Sequence, residues 1–276
     1  MNQESRHEDT DASMMSFGGH LEVLRQMLFR IIGVAGAIAV VVFCLKDATW
    51  NMLLAPSEWD FCTYRWIERA AHAMGFADFR FAEYHVDLIA TDLSSQFMTH
   101  VSTAFCLGLL GASPYILYEL FRFVSPALYA NERRYSVRVA LAVYALFVLG
   151  VLMTYYVLFP VAFRFLGTYS VAERVHSAIT LDSYVSTFMS LTLVMGVVFQ
   201  LPVLAFCLAK MGIVRSSMLS RYRRHAFLII MVVAAVITPP DVMTLVLVAV
   251  PLYLLYEASI RVVRWMEAAG NSNPPA

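Results

Sequence analysis

Long stretches without a charged side chain dominate this 276-residue sequence. Six such runs lie between successive Asp, Glu, Lys or Arg residues, at positions 31–45, 93–118, 139–163, 183–209, 225–240 and 242–256. A bilayer core is about 30 Å thick and needs about 20 apolar residues in helical form, because a spanning segment must satisfy its own backbone hydrogen bonds. The second, third and fourth runs therefore predict membrane-spanning helices.

The composition excludes a water-soluble globular domain. The sequence is 60% hydrophobic and 14% charged, with a mean hydropathy of +0.66, whereas soluble domains are about 45–50% apolar and about 25% charged. The 20 basic and 20 acidic residues cancel, so the net charge gives no reason to expect a nucleic-acid partner. We expect an all-α, polytopic membrane protein.

Six transmembrane helices are predicted within one domain of residues 17–265. The first run extends past Arg30 and Lys46, since long basic side chains reach the membrane interface. The Thr-Pro-Pro-Asp turn at residues 238–241 separates the last two runs and predicts a hairpin of two short final helices. The predicted spans cover about residues 28–46, 93–119, 138–160, 183–209, 225–239 and 242–257.

The distribution of basic residues predicts that both termini are cytoplasmic. With a cytoplasmic amino terminus, 14 of the 20 Lys and Arg residues fall on the cytoplasmic side and 6 on the other, as the positive-inside rule requires. Residues 1–16 then form a disordered cytoplasmic tail and residues 266–276 a second cytoplasmic tail. Residues 47–92 form the one sizeable external segment.

Prolines and a few polar residues interrupt the predicted spans. Kinks are expected near Pro114, Pro160, Pro202 and Pro251, and kinked helices favour a concave bundle. Gln200 lies in the middle of a run, where its amide either bonds a neighbouring helix or belongs to a functional polar patch in a cavity.

Sequence signatures of catalysis are absent. HExxH, CxxC, GxSxG and glycine-rich phosphate-loop patterns do not occur, and the seven histidines are scattered. We therefore expect no enzymatic activity, no cofactor and no bound metal.

One acidic residue lies in the most basic predicted cytoplasmic loop. Glu132 follows Phe123 and Leu128 and precedes Arg133 and Arg134. A carboxylate beside apolar side chains is suited to bind an arginine fork followed by a hydrophobic peptide stretch. The alternative is a local salt bridge to a neighbouring arginine.

Six motifs follow one another between residues 113 and 257, and the resemblance they belong to covers about residues 16–265. They are SPYILYE at 113–119, SPALYANERR at 125–134, FPVAF at 159–163, FQLPV at 199–203, TPPD at 238–241 and AVPLYLLYE at 249–257. In this set and order the motifs resemble TatC, the multispanning core of the twin-arginine protein translocase.

The resemblance implies a fold and a function. It implies a cupped bundle of six spans with short final helices and both ends in the cytoplasm, in the bacterial cytoplasmic (inner) membrane. A protein of this kind binds twin-arginine signal peptides and exports folded proteins, driven by the proton motive force. The implied partners are TatA- and TatB-type single-span proteins, the cargo signal peptides, membrane lipid and further copies of the chain.

The resemblance also implies roles for particular residues. Glu132 would contact the paired arginines, with Phe123 and Leu128 in the same patch. Asp241 would mark the external hairpin, and Pro56 the start of an external cap. Gln200 would lie where a partner helix approaches.

The amino-terminal motif departs from the family pattern. TatC proteins usually begin with His-Leu-x-Glu-Leu-Arg, whereas here the corresponding stretch ends at Arg25 with Val23 at the glutamate position and Glu22 one residue earlier. One residue rotates a helical side chain by about 100°, so Glu22 points in a different direction from the family glutamate. Glu22 and Arg25, which keeps the family position, are the candidate signal-peptide residues here.

A secondary transporter of a small solute is the alternative function. In that case His100, Asp182 and Gln200 would line a polar path through the membrane. The near absence of charged residues from the spans and the lack of an inverted repeat argue against it.

Overall fold

The computed structural model describes residues 17–76, 81–84, 86–128, 133–170, 172 and 178–271 and is almost entirely helical there. Its α-helices are α1 (Phe17–Cys44), α2 (Lys46–Leu54), α3 (Cys62–Ala73), α4 (Ser95–Gly111), α5 (Ser113–Leu128), α6 (Arg133–Met153), α7 (Phe159–Thr168), α8 (Leu181–Val198), α9 (Leu201–Lys210), α10 (Ser216–Arg221), α11 (Arg223–Ile237) and α12 (Val242–Asn271). A 3₁₀ turn, Ala55–Ser57, follows α2, and a π-helical turn, Thr154–Leu158, joins α6 to α7. Two short strands, β1 (Leu88–Ile89) and β2 (Ile179–Thr180), pair in parallel.

Four helical segments within the described ranges are long and apolar enough to cross a membrane: Glu22–Cys44, Val139–Thr168, Leu181–Lys210 and Val242–Ala268. The pair α4 and α5 is a fifth candidate, bent by 49°. Helix α11 has 15 residues, fewer than the length of an untilted span. The fold is all-α and polytopic, as expected, and the count of six spans stays a prediction.

Three of the four prolines coincide with breaks. Pro114 follows the bend between α4 and α5, Pro160 follows the π-helical turn, and Pro202 follows the two-residue gap between α8 and α9. Proline lacks an N–H group and its ring clashes with the carbonyl four residues earlier. Pro251 differs, because α12 continues through it.

The last helix is longer than the expected short final helix. Helix α11 is short, but α12 has 30 residues and runs to Asn271, well past the predicted end of its span at residue 257. The charged residues that end the apolar run, beginning with Glu257 and Arg261, are compatible with helix and favour it in isolation. The end of an apolar run therefore does not mark the end of the helix.

The buried core lies between α7, α8, α11 and α12. It includes Phe159, Tyr184, Met195, Val248 and Leu252, which are at most 2% exposed. The outer faces of the helices keep large apolar side chains exposed, as lipid contact requires. Phe29, Ile32 and Val236 are examples.

A glycine allows a close contact between α1 and α4. A Cβ at Gly108 of α4 would lie 2.6 Å from the Cβ and 2.7 Å from the Cα of Ala39 in α1. Small residues permit such approach of two backbones, which is a common basis of helix packing in membranes.

Candidate functional site

The bundle has two differently built ends. The cap end carries α2, the 3₁₀ turn, α3 and the strand pair, and we call the described residues between 46 and 89 the cap. The opposite end carries the start of α1, the end of α5 and the connection through α10, and we call it the basic end. Predicted functional residues lie at both ends.

At the basic end, α1 brings two of the predicted signal-peptide residues together. Arg25 donates from Nη2 to Oε1 of Glu22 at 2.8 Å, and Gln26 donates to the same oxygen at 3.2 Å. The side chains of Arg25 and Glu22 are 66% and 48% exposed. The Glu22 carboxylate is therefore neutralised locally but stays accessible to water and to a competing guanidinium.

A second acid at this end was not identified as a site residue from the sequence. Glu119 of α5 is 7% exposed and is the only charged residue that is buried in the described part of the chain. Its Oε1 accepts from the Tyr115 hydroxyl at 3.0 Å and lies 3.7 Å from Nη1 of Arg30 in α1. The i, i+4 spacing to Tyr115 is visible in the sequence, but the pairing with Arg30 depends on the packing of α1 against α5.

The remaining predicted signal-peptide residues lie at or beyond the end of α5. Phe123 and Leu128 belong to that helix, but their side chains are not among those the structure describes. Glu132 lies outside the described residues, in the connection between α5 and α6. The predicted roles of these three residues therefore stay predictions.

Gln200 lies in the gap between α8 and α9. Its Nε2 donates to the carbonyl of Gly196 at 3.4 Å, within the same segment, and its Oε1 is buried without a hydrogen-bond partner among the described atoms. An unpaired amide oxygen in a membrane bundle has the capacity to accept one bond from a partner.

The three residues of the transporter hypothesis have different surroundings. His100 stacks on Phe43 with ring centroids 4.4 Å apart and lies against Trp50. Asp182 is exposed in the first turn of α8, and Gln200 lies at the far end of that helix. No hydrogen bond or salt bridge joins any two of the three within the described structure, so they do not form a continuous polar path.

Asp241 shapes the turn between α11 and α12. Its Oδ1 accepts from the backbone N–H of Thr244 at 2.7 Å, an N-cap bond that satisfies a free donor of α12. Its Oδ2 and the hydroxyl of Thr244 are buried without partners in the described part of the chain. The predicted hairpin residue therefore has one structural bond and one unused acceptor.

Pro56 is buried in the 3₁₀ turn that follows α2. Tyrosine hydroxyls from the spanning segments bind backbone carbonyls in this part of the cap. The Tyr155 hydroxyl donates to the carbonyl of Met52 and the Tyr184 hydroxyl to that of Leu53, both at 2.8 Å. The last carbonyls of a helix lack partners within the helix, so these two bonds complete the end of α2.

A caged arginine fixes the rest of the cap. The Arg164 guanidinium of α7 lies over the rings of Phe81, Tyr84 and Tyr64, at 4.3, 4.6 and 5.0 Å from their centroids, and donates to the Ala82 carbonyl at 2.8 Å. The Tyr64 hydroxyl also donates to the carbonyl of Pro160 at 2.8 Å. Burial raises the pKa of Tyr64 and Tyr84 above the usual range, so both hydroxyls stay protonated at physiological pH.

Comparison with known proteins identifies the family. The model of the family described as "Sec-independent protein translocase protein (TatC)" matches residues 19–251. The chain belongs to the TatC family. The TatC protein of Blattabacterium from Periplaneta americana is 32% identical over 249 residues, which cover 89% of this chain and 94% of the relative. The TatC protein of Escherichia coli K12 is 36% identical over 185 residues, 67% of this chain and 71% of the relative.

Solved TatC structures share the fold. A crystal structure described as the twin-arginine translocase receptor TatC superposes with a TM-score of 0.72 at 29% identity and covers 89% of this chain and 98% of the solved chain. A second structure, of TatC in the detergent DDM, gives a TM-score of 0.73 at 28% identity. This TatC-family chain is thus a multi-pass membrane protein with the architecture of that receptor, and its family is a protein translocase component.

Proposed function

We propose that this chain is the twin-arginine signal-peptide receptor and the core subunit of a translocase that exports folded proteins across the bacterial cytoplasmic membrane. The observation that supports this function most directly is the likeness to the solved receptor over 98% of its length. The proton motive force supplies the energy. Single-span TatA- and TatB-type proteins and further copies of the chain are the assembly partners.

The basic end is the cytoplasmic end in this proposal, with both termini on that side. The excess of Lys and Arg in the predicted cytoplasmic loops supports this orientation. Glu132 receives the paired arginines, because a carboxylate binds a guanidinium through charge-assisted bonds. Phe123 and Leu128 contact the apolar stretch that follows the arginines.

Glu22 has a secondary role in the proposal. Its carboxylate already accepts bonds from Arg25 and Gln26, so a signal-peptide guanidinium must compete with two internal donors. We therefore expect Glu22 to contribute less to peptide binding than Glu132. Gln200 contacts a partner helix through its unpaired oxygen, and Asp241 marks the external hairpin.

Peptide binding to the purified full-length protein in nanodiscs tests the receptor function. A twin-arginine signal peptide and the same peptide with two lysines are titrated against the unmodified chain and against Glu132→Gln, Glu22→Gln and Glu58→Gln. We expect Glu132→Gln to weaken binding of the twin-arginine peptide at least tenfold. The same variant should bind the twin-arginine and lysine peptides equally well. We expect Glu22→Gln to weaken binding about twofold.

Glu58 provides the matched control, because it is an exposed acid at the cap end. Its replacement removes the same charge and leaves affinity unchanged if recognition occurs at the basic end. Equal affinity for the two peptides in the unmodified chain would contradict the receptor function. Equal losses in all three variants would indicate nonspecific attraction by net charge.

A further inference from the structure

The connection between α9 and α11 concentrates positive charge at the basic end. Residues 210–225 contain five basic side chains and no acid: Lys210, Arg215, Arg221, Arg223 and Arg224. Helix α9 ends a membrane-spanning segment at Lys210, and α11 begins at Arg223. Because this connection joins the end of a spanning segment to the start of α11, its first and last residues lie near the level of the lipid headgroups.

An open cavity of about 470 Å³ lies within this connection. Arg215 and Arg221 line it from the two ends of α10, together with the hydroxyl-bearing residues Ser217 and Tyr222. Neither arginine forms a salt bridge or a side-chain hydrogen bond within the described part of the chain. Two guanidinium groups that line one cavity leave several N–H donors for an anion.

The nearby acids of α12 are already hydrogen-bonded. Glu257 accepts from Nε of Arg223 at 2.8 Å, and Glu267 accepts from the backbone N–H of Ser216 at 2.9 Å and from its hydroxyl. Glu267 also attracts Arg215 and Arg264 at longer range but forms no salt bridge with either in the described part of the chain. Its single negative charge offsets part of the charge of Arg215 and Arg221, and the cavity keeps an excess of positive charge.

Apolar side chains surround the two arginines. Ile213, Met218 and Tyr222 are 58%, 41% and 51% exposed. Exposed apolar groups beside arginines suit the boundary between acyl chains and headgroups, and tyrosine is enriched at this depth. A soluble acidic ligand would leave these apolar groups in water, whereas a lipid covers them.

We propose that this cavity binds the phosphate of an anionic phospholipid headgroup, with Arg215 and Arg221 as charged donors and Ser217 as a neutral donor. Arginine binds phosphate through two parallel N–H bonds, which adds specificity to the charge attraction. The acyl chains of the same lipid then contact Ile213 and Met218. The site is distinct from the predicted signal-peptide residues on α1 and α5.

Native mass spectrometry of the full-length protein in a neutral detergent tests the site. Micelles are titrated with phosphatidylglycerol or with phosphatidylcholine, and the lipid-bound fraction is measured for the unmodified chain, Arg215→Gln/Arg221→Gln and Arg224→Gln. A basic residue near an anionic lipid surface raises binding about fivefold, so we expect the double variant to bind phosphatidylglycerol roughly twentyfold more weakly.

Arg224 is the matched control, because it lies in the same basic stretch but does not line the cavity. Its replacement should change binding less than twofold. Arg215→Lys/Arg221→Lys keeps the charge and should retain most binding, which distinguishes a binding defect from misfolding of the glutamine variant. Unchanged binding in the double glutamine variant, or an equal loss in Arg224→Gln, overturns the proposal.

Two competition experiments identify the source of the anion. Inorganic phosphate at millimolar concentration should leave phosphatidylglycerol bound, and full displacement would assign the cavity to free phosphate and overturn the lipid source. A glutamate-rich peptide should likewise fail to displace phosphatidylglycerol. If it displaces the lipid in a manner that depends on Arg215 and Arg221, the ligand of the cavity is an acidic protein segment and the lipid proposal is overturned.

Discussion

The two ends of this TatC-family bundle are stabilised in different ways. At the cap end, tyrosine hydroxyls from the spans complete the last carbonyls of α2, and an arginine is enclosed by three aromatic rings. At the basic end, most of the described polar contacts involve charged side chains, and most of these are exposed, as with Glu22 and Arg25. The cap is therefore held by directional bonds to backbone carbonyls, of which the Tyr184 bond is buried, and the basic end mainly by charges that water and ligands reach.

The difference suits different tasks. Buried hydrogen bonds and aromatic contacts are costly to break and give one fixed arrangement. Exposed ion pairs contribute little to stability and exchange readily with a charged ligand. We therefore expect substitutions at the cap end to reduce stability, and most substitutions at the basic end to alter binding with little change in stability.

The largest expected loss of stability follows removal of the caged arginine. Arg164→Ala removes three cation–π contacts and the bond to the Ala82 carbonyl, and should lower the free energy of unfolding by about 3 kcal/mol. Unfolding in mixed micelles, followed by circular dichroism, measures the change. Cleavage of the cap by added protease should also accelerate.

Arg65 gives the matched control for this prediction. It pairs with Asp60 at 3.3 Å while both side chains are more than half exposed, so Arg65→Ala should change stability by less than about 0.5 kcal/mol. Similar losses in the two variants would mean that the aromatic cage does not fix the cap.

The basic end contains one exception, the pair formed by Glu119 and Arg30. Among the described residues, Arg30→Ala leaves the buried Glu119 carboxylate with only the Tyr115 hydroxyl as a partner, and it should cost about 2 kcal/mol, because an unpaired buried charge is unfavourable. Adding Glu119→Gln removes that charge and should restore most of the lost stability. An additive loss in the double variant, measured by the same unfolding experiment, would contradict the pairing.

The sequence predicted the membrane class and the helical architecture. Four of the six apolar runs coincide with helical segments long and apolar enough to cross a membrane, a fifth coincides with the bent pair α4 and α5, and Pro114, Pro160 and Pro202 marked breaks that the structure contains. These features follow from local chemistry, since backbone hydrogen bonds in lipid and the missing N–H of proline act within one segment. The length of α12 was not predicted, because charge ends an apolar run without ending a helix.

The candidate site was predicted in part. The motif resemblance selected Glu22 and Arg25 on α1, which the structure places in contact, and Glu132, which lies outside the described residues. Glu119 and the Arg164 cage were missed, because their partners are far away in sequence. Arg30 precedes Glu119 by 89 positions and Ala82 precedes Arg164 by 82. Such pairings are set by helix packing and have no short-range signal.

Removing a single hydroxyl at the cap end should reduce stability less than Arg164→Ala or Arg30→Ala. Tyr184→Phe removes the bond to the Leu53 carbonyl and leaves that acceptor buried without its partner, which should cost about 1 kcal/mol. Tyr169→Phe, at an exposed tyrosine of the same end, is the control and should be neutral. Equal unfolding midpoints for the two variants would mean that α2 does not depend on this bond.

The smallest effect on stability is expected at Glu22. Its pair with Arg25 is an exposed i, i+3 contact, and such helix pairs contribute about 0.2–0.5 kcal/mol, so Glu22→Ala should leave the unfolding curve almost unchanged. Peptide titration then separates two roles for the carboxylate. Weaker twin-arginine binding at unchanged stability would identify Glu22 as a contact for the signal peptide in competition with Arg25. Tighter binding would mean instead that the peptide must break the Glu22–Arg25 pair before it binds. A loss of stability above about 1 kcal/mol would contradict the contrast between the two ends.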